Sequence, residues 1–270
     1  MRTLWALLFL LPASAYAQSE DFVQLPKSVV EGRLLQYQGS DPFRAATLIN
    51  LFQEAGCTGE RLIKQKVPHA SAPNVVCTLP GTSSAAIIVG AHFDHVSKGD
   101  GVVDNWSGAS VLPSLFESLS TIPRHYTFIF VGFTDEEKGF VGSRYYADHL
   151  QEEEVARTRG MINLDTLGLG PTEIWVNDSN PNLVKKLIST AAAMKLPVSG
   201  MNVDGVGDSD GSSFKRRRIP IITLHSISDA TLGILHSPKD TLAAINQDDY
   251  YDSYRLIAAY LAELDSESTK

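Results

Sequence analysis

The sequence predicts an α/β fold, a three-layer αβα sandwich in which helices cover both faces of a mixed, mainly parallel sheet. Three observations lead to this prediction. Several short apolar runs lack alternation, which is typical of strands buried on both faces. Segments with helical periodicity lie between these runs, as expected for a mainly parallel sheet. The 270-residue chain shows no internal repeat or low-complexity linker, so one domain is the simplest organisation.

The first elements after the N-terminal region are predicted to be a helix and an antiparallel strand pair. Apolar residues recur with a helical period over residues 41–55, and Asp41 is a suitable N-cap. Two strand-like runs follow at residues 61–67 and 74–79. The Pro-containing loop that joins these runs favours an antiparallel pair.

The remaining elements follow from apolar runs and from helical spacing. Buried strands are predicted at residues 85–89, 126–131, 160–164 and 219–224. Helices are predicted over residues 107–119 and 140–150, where apolar residues have helical spacing. The tail from Asp249 carries its apolar residues on one face, which predicts an amphipathic closing helix.

Residues 1–17 have the features of a secretory signal peptide. Arg2 precedes an apolar run over residues 4–11, and the small-residue pattern Ala15-Tyr16-Ala17 follows. The run is far shorter than the roughly 20 residues that span a bilayer, so we do not interpret it as a membrane anchor. We therefore expect cleavage after Ala17, export to the periplasm or outside the cell, and a single domain over residues 18–270.

The charge of the chain limits its partners. A formal net charge of −8 argues against nucleic acid and anionic membranes, because both repel an acidic protein. The local exception is Lys215-Arg216-Arg217-Arg218, which we interpret as a solvated face because short charge runs usually are. No feature of the sequence indicates an oligomeric state.

The two cysteines, Cys57 and Cys77, both lie in the predicted mature chain. An exported protein meets an oxidising compartment, so a disulfide between them is a reasonable prediction. The alternative is two free buried thiols, because unpaired cysteines are commonly buried.

Three of the predicted buried strands are followed at once by imidazole or carboxylate side chains. His92 and Asp94 follow one strand, Glu136 and Glu137 the next, and Asp165 the third. In open α/β sheets, ligands bind beyond the carboxyl ends of the strands, so these side chains are expected to converge. Imidazole and carboxylate ligands without thiolate suit Zn(II), and Co(II) or Mn(II) less strongly.

Five short motifs occur in order from about residue 75 to the C-terminus. They are His92-Phe93-Asp94, Gly101-Val102-Val103-Asp104-Asn105-Trp106-Ser107-Gly108, Thr134-Asp135-Glu136-Glu137, Asn163-Leu164-Asp165-Thr166-Leu167-Gly168 and His236-Ser237-Pro238-Lys239-Asp240-Thr241. Together they resemble the motifs of the M28 family of co-catalytic zinc peptidases, which includes bacterial leucyl aminopeptidases. The resemblance implies a zinc exopeptidase-like fold and an aminopeptidase that releases N-terminal residues from peptide substrates.

The resemblance also implies two Zn(II) ions and a role for each ligand. Asp104 is expected to bridge both ions. His92 and Asp165 are then assigned to one zinc, and Glu137 and His236 to the other. Each ion has three protein ligands and an open position, as a catalytic zinc requires.

The proton-transfer and supporting roles come from the same resemblance. Glu136 is expected to take a proton from a metal-bound water as it attacks the scissile carbonyl, and to pass that proton to the leaving amine. Asp94 is expected to accept the second N–H of the His92 imidazole. Asp240 is a further candidate for holding His236 in this way.

Two further expectations concern positions near the ligands. The resemblance implies a cis peptide bond between Asp104 and Asn105. His225 competes with His236 for the final ligand position, because it also ends an apolar run. The motif that follows His236 favours it as the ligand, so His225 is expected to line the substrate cleft.

Other functions remain open at this point. A glutaminyl cyclase of the same fold, which uses one zinc, is the first alternative, and a non-catalytic binding domain is the second. Carboxypeptidase or dipeptidase action is also possible within the family. A serine-nucleophile mechanism is disfavoured, because the chain has no Gly-x-Ser-x-Gly elbow.

Overall fold

The computed structural model of the chain describes residues 21–202 and 207–266. The predicted signal peptide, residues 1–17, therefore lies outside the described residues. Within them, an eight-stranded mixed sheet is covered by helices on both faces, which confirms the predicted α/β sandwich. Among the described residues, no helix is both long enough and apolar enough to cross a membrane.

The sheet has a parallel centre and antiparallel flanks. Its strands are β1 (Leu62–Gln65), β2 (Asn74–Leu79), β3 (Ala86–His92), β4 (Thr127–Phe133), β5 (Thr158–Leu164), β6 (Glu173–Trp175), β7 (Ser199–Met201) and β8 (Ile221–His225), in the spatial order β1-β2-β4-β3-β5-β8-β6-β7. Strands β4, β3, β5 and β8 are parallel, so their carboxyl ends lie at one edge of the sheet. The β1–β2 pair is antiparallel, as predicted.

The helices belong to two layers. They are α1 (Lys27–Leu34), α2 (Asp41–Glu54), α3 (Ser107–Ser120), α4 (Val141–Asp148), α5 (Glu152–Arg157), α6 (Pro181–Met194), α7 (Gly211–Lys215) and α8 (Gln247–Ser266). The larger hydrophobic cluster joins one face of the sheet to α1, α2, α3, α6 and α8. The smaller cluster joins the other face to α4, α5 and α7.

Each central strand contributes to both hydrophobic clusters. In β3, Ile87 and Val89 contact the larger cluster, whereas Ile88 contacts the smaller one. All seven residues of β3 are buried, because successive side chains of a strand point to opposite faces and helices cover both. This explains why the central strands show no alternation in the sequence.

Several elements were not predicted from the sequence. The strands β6 and β7 have three residues each, which is too short for a period of two to be visible. The helix α6 did carry local signals, because the side chain of Asn180 accepts hydrogen bonds from the backbone N–H groups of Asn182 and Leu183 and Pro181 occupies the first turn.

A disulfide joins the two cysteines. Cys57 lies just beyond the end of α2 and Cys77 lies within β2, and both are fully buried. The bond therefore connects one helical layer to β2, the second strand from the edge of the sheet, and the alternative of two free thiols is excluded.

Candidate metal centre

The candidate site lies at the carboxyl edge of the parallel strands. His92 is the last residue of β3, Glu136 and Glu137 follow β4, and Asp165 is the residue after β5. Asp104 belongs to an irregular turn directly before α3. The sixth predicted residue, His236, comes from the loop between β8 and α8, and its side chain remains partly exposed.

The predicted ligands form two groups that share Asp104. In the first group, Nε2 of His92 lies 3.3 Å from Oδ1 of Asp104 and 3.8 Å from Oδ1 of Asp165. In the second group, Nε2 of His236 lies 3.2 Å from Oδ2 of Asp104 and 3.1 Å from Oε2 of Glu137. The ligand atoms of each group lie within 4.8 Å of one another. Asp104 therefore presents one carboxylate oxygen to each group.

The donor set of these groups fits zinc. Each group offers one imidazole and two carboxylates, and no sulfur ligand is involved. Burial and the nearby charge of Asp104 raise the pKa of Glu137 to about 7. Carboxylates that are buried this close together repel one another unless positive charge lies between them. A divalent cation in each group would supply that charge.

The two imidazoles favour the ionised form of the Asp104 carboxyl group. Burial favours the protonated carboxyl, but hydrogen bonds from His236 and His92 lower the pKa of Asp104 below its usual range. The same contacts raise the pKa of each imidazole. The hydrogen bond to Asp104 raises the pKa of His236 to about 9. For His92, burial opposes protonation, yet the charge of Glu136 and hydrogen bonds to carboxylates raise its pKa.

Glu136 faces the same cavity but belongs to neither ligand group. Burial, together with the charges of Asp210 and Asp165, raises the pKa of its carboxyl group to about 9 against the opposing charge of His92. A carboxyl group with a raised pKa that borders a cavity is suited to proton transfer.

Asp94 contacts His92 less closely than expected. Nδ1 of His92 lies 3.6 Å from Oδ1 of Asp94 and 3.3 Å from its carbonyl oxygen, so the backbone carbonyl is the nearer acceptor. The Asp94 carboxylate accepts hydrogen bonds from the backbone N–H groups of Glu136, at 3.0 Å, and Glu137, at 3.2 Å. Asp94 therefore links the loop after β3 to the loop after β4.

Asp240, the further candidate for holding His236, binds backbone groups instead. Its carboxylate accepts hydrogen bonds from the backbone N–H groups of Val103, at 2.7 Å, and Asp104, at 3.3 Å. The predicted cis peptide bond is present between Asp104 and Asn105. The carboxamide of Asn105 donates to the carbonyl of Leu164 at 2.9 Å, which joins this turn to the end of β5.

His225 does not line the cavity, although the sequence predicted that it would. It is fully buried, and its Nδ1 accepts a hydrogen bond from the backbone N–H of Ile227 at 3.1 Å. Its ring packs edge-on against Trp175 with centroids 5.9 Å apart. Burial lowers the pKa of His225 to about 4, so the imidazole is neutral.

The cavity beside the ligands has a volume of about 160 Å³ and an apolar wall that sequence reasoning missed. The apolar residues of this wall are Trp175, Ile227, Leu232 and Leu235. Trp175 ends the short strand β6, and Leu232 lies in a single 3₁₀ turn after β8. No sequence motif marks them, because their positions near the ligands depend on long-range packing.

The basic run lies away from this site. Lys215 pairs with Asp178, and Arg217 pairs with Glu152 at 2.9 Å. Lys215, Arg216 and Arg218 are exposed, in agreement with the interpretation of a solvated face.

A family model described as "Peptidase family M28" matches residues 74–261. The chain belongs to peptidase family M28. Among its relatives, leupeptin-inactivating enzyme 1 of Streptomyces exfoliatus is 29% identical over 189 residues, which cover 68% of this chain and 40% of that protein. Aminopeptidase YwaD of Bacillus subtilis is 30% identical over 185 residues, which cover 66% of this chain and 40% of that protein. The M28 chain thus spans about 40% of the length of these two relatives.

Solved structures share the fold of this M28 chain. The LapA aminopeptidase of Legionella pneumophila superposes with a TM-score of 0.76 at 21% identity, covering 88% of this chain and 70% of that chain. A glutaminyl cyclase from an Acidobacteriales bacterium superposes with a TM-score of 0.73 at 16% identity, covering 94% of this chain and 99% of that chain. At these identities the likeness establishes the fold and not the activity.

Proposed function

We propose that this M28 protein is an exported two-zinc metallopeptidase that acts as an aminopeptidase on peptide substrates. Residues 18–270 would form one catalytic domain in the periplasm or outside the cell. The observation that carries the proposal is the position of Asp104, whose two carboxylate oxygens serve two separate histidine–carboxylate groups. The relatives named as aminopeptidases support the same activity.

Each ligand would have the role that the geometry suggests. His92 and Asp165 would hold one zinc, Glu137 and His236 the other, and Asp104 both. When bound, the two ions would lower the pKa of a water molecule and polarise the scissile carbonyl. The side chain of His236 is 57% exposed, whereas that of His92 is 2% exposed. The second group is therefore the more accessible to solvent.

Glu136 would serve as the general base. Its carboxyl group borders the cavity and, with a pKa raised to about 9 by burial, holds a proton well. Positive charge placed between the neighbouring carboxylates would lower that pKa, so the ionised form could accept the proton of the attacking water. Glu136 would then pass this proton to the leaving amine.

The apolar wall would receive the N-terminal side chain of the substrate. The cavity of about 160 Å³ is small beside the roughly 300 to 1,000 Å³ of typical ligand pockets. A cavity of this size would accommodate one side chain of the substrate. Trp175, Leu232 and Leu235 favour an apolar residue there.

Glutaminyl-peptide cyclotransferase is the second candidate. The bacterial glutaminyl cyclase structure and this chain cover one another almost completely, at 94% and 99%, whereas the chain spans only 40% of the aminopeptidase relatives. A cyclase of this fold would use one zinc, whereas the described residues include two candidate ligand groups. The additional group, formed by His92, Asp104 and Asp165, therefore favours the peptidase.

Three measurements on purified protein distinguish these functions. We expect two zinc ions per chain, release of N-terminal leucine from a peptide, and no cleavage of the N-acetylated peptide. Formation of a pyroglutamyl product from a glutaminyl peptide, without released amino acids, would identify a cyclotransferase. Zinc binding without either activity would indicate a binding domain and would contradict the proposed peptidase.

A further inference from the structure

Two buried charged residues outside the ligand set hold the segment that leads to Asp104. They are Arg44, on α2, and Asp240, in the loop that follows His236. Each is only 1% exposed. Neither forms a direct ion pair within 4 Å among the described residues, and both use their polar atoms on backbone groups instead.

Arg44 connects the loop of His92 to the segment before Asp104. Its Nη1 donates to the carbonyl of Phe93, at 3.1 Å, and to the carbonyl of Gly101, also at 3.1 Å. Its Nη2 donates to the carbonyl of Asp100. Phe93 is the residue directly after the ligand His92. One planar guanidinium therefore sets the distance between two loops that carry ligands.

Asp240 connects the loop of His236 to the same segment from the other side. Its carboxylate accepts the N–H groups of Val103 and Asp104, at 2.7 and 3.3 Å. Its carbonyl accepts the N–H of Asp100 at 2.7 Å. Asp240 thus binds backbone groups at both ends of residues 100–104. It lies four positions after His236, a predicted ligand.

We propose that Arg44 and Asp240 are positioning residues of the metal centre, which orient Asp104 so that one carboxylate oxygen reaches each ligand group. This inference rests on the proposed function only in that both groups bind zinc. Because Asp104 belongs to both groups, displacement of its backbone weakens both metal sites together. Loss of a residue that supports a single ligand would weaken one site.

The chain offers a matched pair of control residues at the opposite end of β4. Asp265 is buried, and its carboxylate accepts the backbone N–H groups of His125, at 3.1 Å, and Tyr126, at 2.7 Å. Arg124 is also buried and donates to the backbone carbonyls of Leu119, at 2.9 Å, and Asp21, at 2.6 Å. These residues make the same kinds of hydrogen bond far from the ligands, and they differ from Arg44 and Asp240 in one contact, because Nη1 of Arg124 also lies 3.8 Å from Oδ2 of Asp265.

The experiment compares Asp240→Asn with Asp265→Asn, and Arg44→Lys with Arg124→Lys. Zinc affinity of the full chain is measured by competition with a chromophoric chelator, and thermal unfolding is measured on the metal-free proteins. We expect D240N and R44K to weaken both zinc sites by about 10- to 100-fold, the usual effect of removing a group that orients metal ligands. D265N and R124K should lower the unfolding temperature and leave both zinc affinities at the wild-type value.

A spectroscopic measurement adds a readout that stability alone does not change. The visible absorption of Co(II) bound in place of zinc reports ligand geometry, and we expect it to change in D240N and R44K but not in the two controls. Wild-type zinc affinity in both D240N and R44K would overturn the inference. So would an equal loss of affinity in the controls, because the effect would then be one of general stability. A wild-type chain that binds two zinc ions but cleaves no peptide would overturn the proposed function and leave this inference standing.

Discussion

Glu136 and Glu137 are adjacent in the chain but differ in environment. Glu137 contacts His236 and belongs to a ligand group, whereas Glu136 borders the cavity and belongs to none. In the proposed mechanism, Glu137 binds metal while Glu136 faces the substrate cavity. The two roles are therefore separable by substitution.

The first prediction concerns Glu136, the proposed general base. Glu136→Gln keeps the size of the side chain but cannot accept a proton, so we expect turnover to fall by about 100- to 10,000-fold. Both zinc ions should remain, as measured by metal analysis of the purified variant. Glu153→Gln, at an exposed position on α5, is the control and should keep full turnover. Substantial turnover in E136Q would refute the general-base role.

The second prediction concerns the shared ligand. Asp104→Ala removes a ligand from both groups, whereas Asp165→Ala removes one from the first group only. We expect D104A to lose both zinc ions and D165A to retain one, because three protein ligands are typical of a catalytic zinc. Metal content per chain is the measurement, with the exposed Asp148→Ala as control. Equal zinc content in D104A and D165A would contradict a bridging role for Asp104.

The third prediction is a pH dependence that arises from His225. Burial lowers its folded-state pKa from 6.5 to about 4, so between these values the unfolded chain binds more protons than the folded chain. The free energy of unfolding must therefore fall as the pH falls through this window, by up to roughly 3 kcal/mol. Urea unfolding of the metal-free protein from pH 7 to pH 4 should show a smaller decrease in His225→Gln than in the wild type. Parallel curves would argue against a buried neutral imidazole.

At the scale of elements, three loops at the site contain left-handed backbone at residues other than glycine. Asp135, Thr166 and His236 have φ values of 52°, 56° and 53°, a conformation that costs of order 1–3 kcal/mol per residue. Tertiary contacts hold these turns. The Asp135 carboxylate, for example, accepts the backbone N–H of Ser71 at 3.0 Å and pairs with Lys138 at 3.1 Å. Asp135 and Thr166 are each adjacent to a predicted site residue, and His236 is itself one.

The fourth prediction concerns the strand β6, which places Trp175 against the cavity. Trp175→Ala removes a large part of the apolar wall. We expect kcat/KM for N-terminal leucine to fall by about 10-fold or more, and the preference to shift toward aromatic N-terminal residues. Val176→Ala changes the next residue, which is 43% exposed, and should leave the preference unchanged. An unaltered specificity profile in W175A would place the side-chain pocket elsewhere.

At the scale of the whole molecule, the two helical layers and the sheet are held by one disulfide and two hydrophobic clusters. The disulfide closes a sequence separation of 20 residues between the end of α2 and β2. It lies near the antiparallel flank, and neither cysteine lines the cavity. Its contribution should therefore be to global stability and not to catalysis.

The fifth prediction tests whether the disulfide contributes to stability and not to catalysis. Replacement of Cys57 and Cys77 together by Ser should lower the free energy of unfolding by about 2–4 kcal/mol, because the unfolded chain is no longer constrained. Zinc content and turnover at room temperature should stay at the wild-type values. A reducing agent should lower the unfolding temperature of the wild type but not of the double variant. Loss of zinc in the double variant would show that the disulfide also supports the site.

The sequence by itself determined the fold class, the main elements and the imidazole and carboxylate side chains that the structure brings together. Buried strands and amphipathic helices have local periods, and His92, Glu136, Glu137 and Asp165 stand directly at or after strand ends. Asp104 and His236 were identified from the order of the motifs along the chain. These features are local in the chain, so the sequence displays them without any knowledge of distances.

Only the tertiary structure decided how these residues are arranged and supported. It placed Asp104 between two groups, moved His225 out of the cavity wall, and assigned Asp240 to the backbone of residues 103 and 104 instead of His236. It also revealed Arg44, which lies 48 residues before His92 in the chain. The physical reason is that hydrogen bonds between buried groups depend on the distance and angle between segments far apart in sequence. No local pattern encodes such a distance, whereas the packing of α2, the strand ends and the loop after β8 fixes it.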